Sequence, residues 1–214
     1  MDLLVDCMIV LLILTNLRLL ASSRIVSCIR AVALQGILLG TVPLLVGTDP
    51  LTIRAFALSG VTILLKGIVF PWLLLRDLET ANVRREMEPL VGYTTSLVVG
   101  AVLLALAIWL GHRLPLPVEA ASPLILPLSL FTIMVGLFTI VSRRKALTQV
   151  LGYLVMENGI TAFGLAFAMK EALLVELGVL LDAFMAVFVM GITIFHINRE
   201  FDHMDTDRLS ELRD

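Results

Sequence analysis

The sequence predicts an all-α membrane protein that crosses the bilayer about seven times. Three observations carry that expectation. Of the 214 residues, 59% are hydrophobic, and the mean hydropathy is +1.00. Charged residues make up 16%, against roughly 25% in a soluble domain. Those charges are bunched into short stretches that separate apolar runs of about 20 residues, the length a helix needs to cross hydrocarbon. The lipid bilayer is therefore the first partner. A formal net charge of −2 with no basic stripe points away from nucleic acid.

The expected spans are 3–20, 25–47, 51–75, 91–111, 123–141, 147–168 and 173–195. The first has the length of a signal peptide, but it lacks a positive n-region and a small-residue cleavage site, so it reads as a retained helix. Pro43, Pro71 and Pro127 fall inside spans, where a helix kinks unless neighbours or water satisfy the freed carbonyl. The stretch 76–90 is the only long polar connection, and 198–214 is the only sizeable extramembrane end. The chain divides accordingly into a three-helix part (1–75), a cytoplasmic loop with a connecting fourth helix (76–122), a second three-helix part (123–197) and a cytoplasmic tail (198–214).

Basic residues set the orientation. Of 16 Lys and Arg, eleven gather on one side, Arg54, Arg113 and Lys170 lie on the other, and Arg30 and Lys66 fall within spans. By the positive-inside rule the N-terminus faces out and the C-terminus faces the cytoplasm, as in a multi-pass protein of the inner membrane.

Resident catalytic chemistry has little to stand on. Cys7 and Cys28 form no C-x-x-C pattern, and His112, His196 and His203 fall at span ends or in the tail. A zinc, iron–sulfur or haem site built from this chain is not expected, and no phosphate-cradling loop or Ser/His/Asp set is present. No cofactor is expected in the chain itself.

Ionisable side chains within spans carry the functional signal. Arg30 lies one and a half turns into its helix and can snorkel to the interface. Lys66, Glu157 and Asp182 sit much deeper. A mid-span ion costs roughly 2.5–3.5 kcal/mol, so these three are expected to face protein or water. One reading is a structural pair in which Lys66 is neutralised by Glu157 or Asp182. The other is a proton relay, because ionisable groups at low dielectric exchange protons near working pH. Tyr153 and Thr161 share a helical face with Glu157 at four-residue spacing, with Asn158 and Gln149 nearby and Gln35 on the second helix. Gly152, Gly159 and Gly164 would permit close helix approach.

Two stretches carry a family resemblance. RRKALTQVLGYLVMENG (143–159) resembles NuoK, a small membrane subunit of complex I, whose pattern is a basic pair followed by an apolar helix with G-x-E-x-M-x-N. ELGVLLDAFMAVFVM (176–190) resembles that subunit's next helix, with Asp182 in place of its second buried carboxylate, and DTDRLSELRD (205–214) resembles its tail. Over more of the chain, with Lys66 in a K-x-x-x-x-P context, the closer resemblance is to HyfE, the membrane component E of hydrogenase-4 and related formate hydrogenlyase complexes. One departure separates the two. The first NuoK carboxylate aligns with Leu154, whereas the acid here is Glu157, about 4.5 Å further along the helix and on roughly the same face.

The resemblance implies a non-catalytic subunit of a membrane-bound oxidoreductase complex related to complex I. Its partners would be antiporter-like and other membrane subunits and a peripheral hydrogenase arm, with the nickel–iron and iron–sulfur centres in those partners. Lys66, Glu157 and Asp182 would then belong to a central hydrophilic axis that translocates protons. The remaining alternatives are the small subunit of a multisubunit cation/proton antiporter and a scaffold whose buried charges only fix packing.

Overall fold

The computed structural model describes residues 2–46, 53–80, 90–114, 122–143 and 146–167. The expected span 173–195 with Asp182, and the tail 198–214, lie outside the described residues. Helices account for nearly all of what is described: α1 (Asp2–Ala21), α2 (Ile25–Val46), α3 (Ile53–Thr62), a π-helical segment (Ile63–Val69), α4 (Phe70–Thr80), α5 (Tyr93–Arg113), α6 (Ile125–Ser142) and α7 (Ala146–Phe167). No strand occurs among the described residues.

Among the described residues, five segments are long and apolar enough to cross a membrane: Leu3–Ala21, Ile25–Leu45, Ser59–Arg76, Tyr93–Arg113 and Ile125–Ser142. Each coincides with an expected span to within a few residues, apart from the third, which starts later. The stretch of the sixth expected span is helical as α7, 22 residues long, but it is not among these five, being made more polar by Gln149, Glu157 and Asn158.

The three prolines behave differently, for local reasons. Pro127 is the third residue of α6, in a first turn whose N–H groups have no intrahelical acceptor, so its missing donor costs nothing there. Pro43 sits near the end of α2. Pro71 is the second residue of α4, separated from the π-helical segment by Phe70. There the Phe70 N–H bonds to the Leu65 carbonyl, five residues back, and Thr62 and Phe70 both keep right-handed helical angles. α3, the π segment and α4 are therefore one continuous helix with a widened register just before its proline. The expected polar loop 76–90 begins later than its charges suggest, because α4 runs on to Thr80. Phe70, Leu74 and Leu78 are all buried at four-residue spacing, which keeps this turn docked despite Arg76, Asp77 and Glu79.

Glycines set the closest helix approaches. A Cβ on Gly136 of α6 would lie 2.4 Å from the Met156 nitrogen of α7, and one on Gly36 of α2 would lie 2.6 Å from Lys66 Cβ. Both seams need the missing side chain. Gly152 and Gly159 serve the α6–α7 seam in the same way, whereas Gly164, expected to do so, has nothing within 4 Å.

Two buried apolar clusters organise the bundle. One gathers Leu19, Leu20, Ile25, Ile29, Val32, Phe70, Leu74, Phe131, Val135 and the α7 residues Leu147 to Val155. The other gathers Val5, Ile9, Leu12, Leu39, Ile125, Leu128 and Ala162. In α1 the first cluster holds the end and the second the beginning, with Thr15 and Asn16 between them. In α2 Gln35 separates the two, and in α7 Glu157 and Asn158 do the same. A polar layer is thus enclosed between two apolar ones.

Candidate functional site

Lys66 and Glu157 meet in that layer. Lys66 Nζ lies 3.3 Å from Glu157 Oε1, and the side chains are 3% and 1% exposed. Lys66 Nζ also donates to Thr161 Oγ1 at 2.7 Å, and Thr161 Oγ1 donates to the Glu157 carbonyl at 2.9 Å. The π segment determines how Lys66 is presented, and Gly36 lets α2 press against its Cα–Cβ. Of the two buried-pair readings, the structure brings Lys66 to Glu157. Arg30 is exposed and stays out of the layer, as its depth suggested.

Glu157 stands about one helical turn from Leu154. Leu154 is buried in the first apolar cluster, so an acid at that position would sit among leucines and valines and not beside Lys66.

The neutral side chains of the layer form a connected set. Asn158 Nδ2 donates to Gln35 Oε1 at 3.4 Å. Gln35 Nε2 donates to Asn16 Oδ1 at 2.9 Å and to Thr15 Oγ1 at 3.0 Å. Asn16 Nδ2 donates to Thr132 Oγ1 at 2.8 Å. Asn16 and Gln35 are fully buried, and Asn158 and Thr132 nearly so. Burying such amides without partners would cost a few kcal/mol each, and the bonds offset that.

Of the supporting residues named from the sequence, Gln35, Asn158 and Thr161 lie in this layer. Gln149 falls elsewhere. It lies two turns from Glu157 at the start of α7, where its Nε2 donates to the Arg143 carbonyl at 3.1 Å and ties α7 to the end of α6. Tyr153 is half-buried and packs against the first apolar cluster. Asp182 lies outside the described residues. Sequence reasoning missed Thr15, Asn16 and Thr132. The signal for Asn16 was present, because a carboxamide inside an apolar 20-residue helix needs partners as an ion does.

Arg143, one of the eleven basic residues gathered on the expected cytoplasmic side, turns inward. It is 1% exposed, stacks 5.3 Å from the Tyr93 ring centroid and donates to the Leu20 carbonyl at 3.4 Å. Burial pulls its guanidinium below the ordinary arginine value, and Tyr93 acts in the opposite direction. It joins the ends of α1 and α6 to the start of α5.

Among the described residues no three His, Cys, Asp or Glu side chains cluster as metal ligands would. Cys7 is exposed and Cys28 buried, with no disulfide between them.

Fold and site together define a class: a multi-pass helical membrane protein with a charged pair sealed at mid-depth. Comparison with known proteins narrows it. The family described as NADH-ubiquinone/plastoquinone oxidoreductase chain 4L matches residues 124–214. The uncharacterized protein Rv0085 of Mycobacterium tuberculosis is 34% identical over 192 residues, covering 87% of this chain and 85% of that one. Hydrogenase-4 component E of Escherichia coli is 30% identical over 126 residues, covering 59% of this chain and 58% of the relative, and its Shigella flexneri counterpart matches equally. No solved structure matches with significance. The chain belongs to the same family as Rv0085; over part of its length it is similar to hydrogenase-4 component E, and its C-terminal part matches the chain 4L family.

Proposed function

We propose that the chain is a membrane subunit of an energy-converting, complex I-related assembly of the hydrogenase-4 or formate hydrogenlyase type, in which it contributes Lys66, Glu157 and Asp182 to a proton-translocating hydrophilic axis. The observation that carries this reading is the Lys66–Glu157 pair, 3.3 Å apart in a polar layer enclosed by apolar clusters on both sides. Apolar clusters flank the pair on both sides, which favours passage of charge sideways between neighbouring subunits. The pair places a proton donor and a proton acceptor in contact.

On this reading the chain spans the inner membrane seven times, with the N-terminus outside and the C-terminus cytoplasmic. Its three-helix parts 1–75 and 123–197 are joined by 76–122. Antiporter-like membrane subunits flank it, and a peripheral hydrogenase arm supplies electrons through nickel–iron and iron–sulfur centres. The chain itself takes no catalytic role. Similarity to hydrogenase-4 component E over 126 residues, and the chain 4L match over 124–214, support this placement.

One observation also serves the scaffold reading, since a closed ion pair can hold helices in register without moving protons. The deciding experiment follows redox turnover and internal acidification together, using the assembled complex in sealed vesicles. Glu157→Gln and Asp182→Asn are expected to assemble normally while translocation falls at least tenfold. Wild-type translocation in both variants would reject the relay and leave the scaffold.

A further inference from the structure

The direction of every hydrogen bond in the amide layer is fixed by two threonines. Thr15 Oγ1 donates its one proton to the Leu12 carbonyl at 2.7 Å, and Thr132 Oγ1 donates its proton to the Leu128 carbonyl at 2.8 Å. A hydroxyl has a single proton, so towards its other neighbours each can only accept. The Gln35 group facing Thr15 must therefore be the NH2, and so must the Asn16 group facing Thr132. This turns Asn16 Oδ1 towards Gln35 Nε2 and leaves Gln35 Oε1 facing Asn158, which has to donate. The orientation of all three amides thus follows from the hydroxyl chemistry.

We propose that Asn16 is a positioning residue for the Lys66–Glu157 pair, acting through this one-way ladder from α7 across α2 and α1 to α6. The inference rests on the function proposed above and adds to it a residue set that the charged groups alone do not reveal. Two physical consequences give the ladder its role. Asn158 directly follows Glu157 in the chain, so fixing Asn158 on Gln35 fixes the rotation of α7 that brings Glu157 to Lys66. The aligned amides also add their dipoles, each carbonyl oxygen towards the α7 end and each nitrogen towards the α6 end, and such chains polarise one another. Amides do not release protons at ordinary pH, so the ladder sets the field at the pair without conducting. Among the described residues, Lys66 and Glu157 are the only charged side chains buried in this layer. α1, α2 and α6 bring amides and hydroxyls to it, and the third buried charge, Arg143, lies beyond the first apolar cluster at the end of α6.

The test uses the assembled complex in sealed vesicles and reads the pH profile of proton translocation, with Glu157→Gln as the reference for the pair. The double variant Thr15→Val/Thr132→Val keeps side-chain shape and removes both locks, whereas Thr15→Ser/Thr132→Ser keeps the hydroxyls. Asn16→Leu breaks the ladder outright. The Val pair is expected to assemble and to displace the profile by about half to one pH unit, the scale of a hydrogen bond gained or lost by one protonation state. The Ser pair should retain the wild-type profile, which a purely steric role for these positions would not require. If Asn16→Leu fails to assemble, the Val pair decides. An abolished signal in Glu157→Gln with an unmoved profile in the Val pair overturns the ladder alone. Full translocation in Glu157→Gln overturns the ladder and the proposed function together.

Discussion

Replacing Lys66 by Met tests the charged core of the site most directly, because it keeps length and volume while removing the ammonium. The pair is 3.3 Å apart, and at an effective dielectric of about 20 that separation corresponds to roughly 5 kcal/mol of attraction. The carboxylate left behind is 1% exposed, too little for water to replace the lost partner. Removing one member of a buried pair typically costs about 3–5 kcal/mol, and Lys66→Met is expected to fall in that range. Adding Glu157→Gln removes the stranded charge and should recover about 2–3 kcal/mol of the loss, an interaction energy at the upper end for neighbouring side chains. Reversible unfolding of the purified chain in mixed micelles, read as a double-mutant cycle, measures both quantities. A cost below about 1 kcal/mol for Lys66→Met, or purely additive losses, would refute the claim that the two charges support each other. The same double variant separates relay from scaffold. A scaffold variant that regains stability regains function, whereas a relay without either charge stays assembled and translocates nothing.

Two further predictions address packing and topology. Gly36→Ala forces a methyl to within 2.6 Å of Lys66 Cβ and should destabilise the chain by about 1–3 kcal/mol, while Gly164→Ala, with nothing within 4 Å, should be neutral or stabilising by up to about 1 kcal/mol; thermal unfolding compares them, and equal effects would contradict the seam. In a background lacking Cys7 and Cys28, a membrane-impermeant maleimide applied to intact spheroplasts should label Arg113→Cys and spare Ser23→Cys. Both positions are exposed, and the reverse pattern would invert the proposed orientation.

Hydropathy made the spans legible because lipid imposes one rule on every backbone, so 25–47 in the sequence becomes Ile25–Val46 in the structure. Lys66 and Glu157 were legible for a related reason, since a buried ion is too costly to be incidental. Asn16 escaped because a neutral amide raises a weaker alarm than a charge, although its four-helix network shows the same need for partners. The π segment had no signature in side-chain type. It is a register of backbone bonds, hinted at only by Pro71, whose absent N–H makes a regular α-helical turn unfavourable there. The inward turn of Arg143 was not legible, because the positive-inside rule sorts charges by side of the membrane and says nothing of their direction. Its inward turn depends on Tyr93 and the Leu20 carbonyl, contacts that sequence separation conceals.

The layered arrangement bears on why such a chain would work only in company. In α1 the order of buried residues is Leu12, then Thr15 and Asn16, then Leu19. In α7 it is Leu154 and Val155, then Glu157 and Asn158, then Ala162. Apolar side chains therefore flank the layer on both sides in α1 and α7, and a proton moving along these helices towards Glu157 would have to pass packed aliphatic side chains between buried hydroxyls such as Thr139, Thr148 and Ser129. A lateral step starts from the Lys66–Glu157 pair and the Thr161 hydroxyl at hydrogen-bond distance, while the amide ladder orders the site without carrying protons. Under the proposed function, charge therefore enters and leaves through the flanks of the bundle, and the groups that complete the route belong to adjacent subunits.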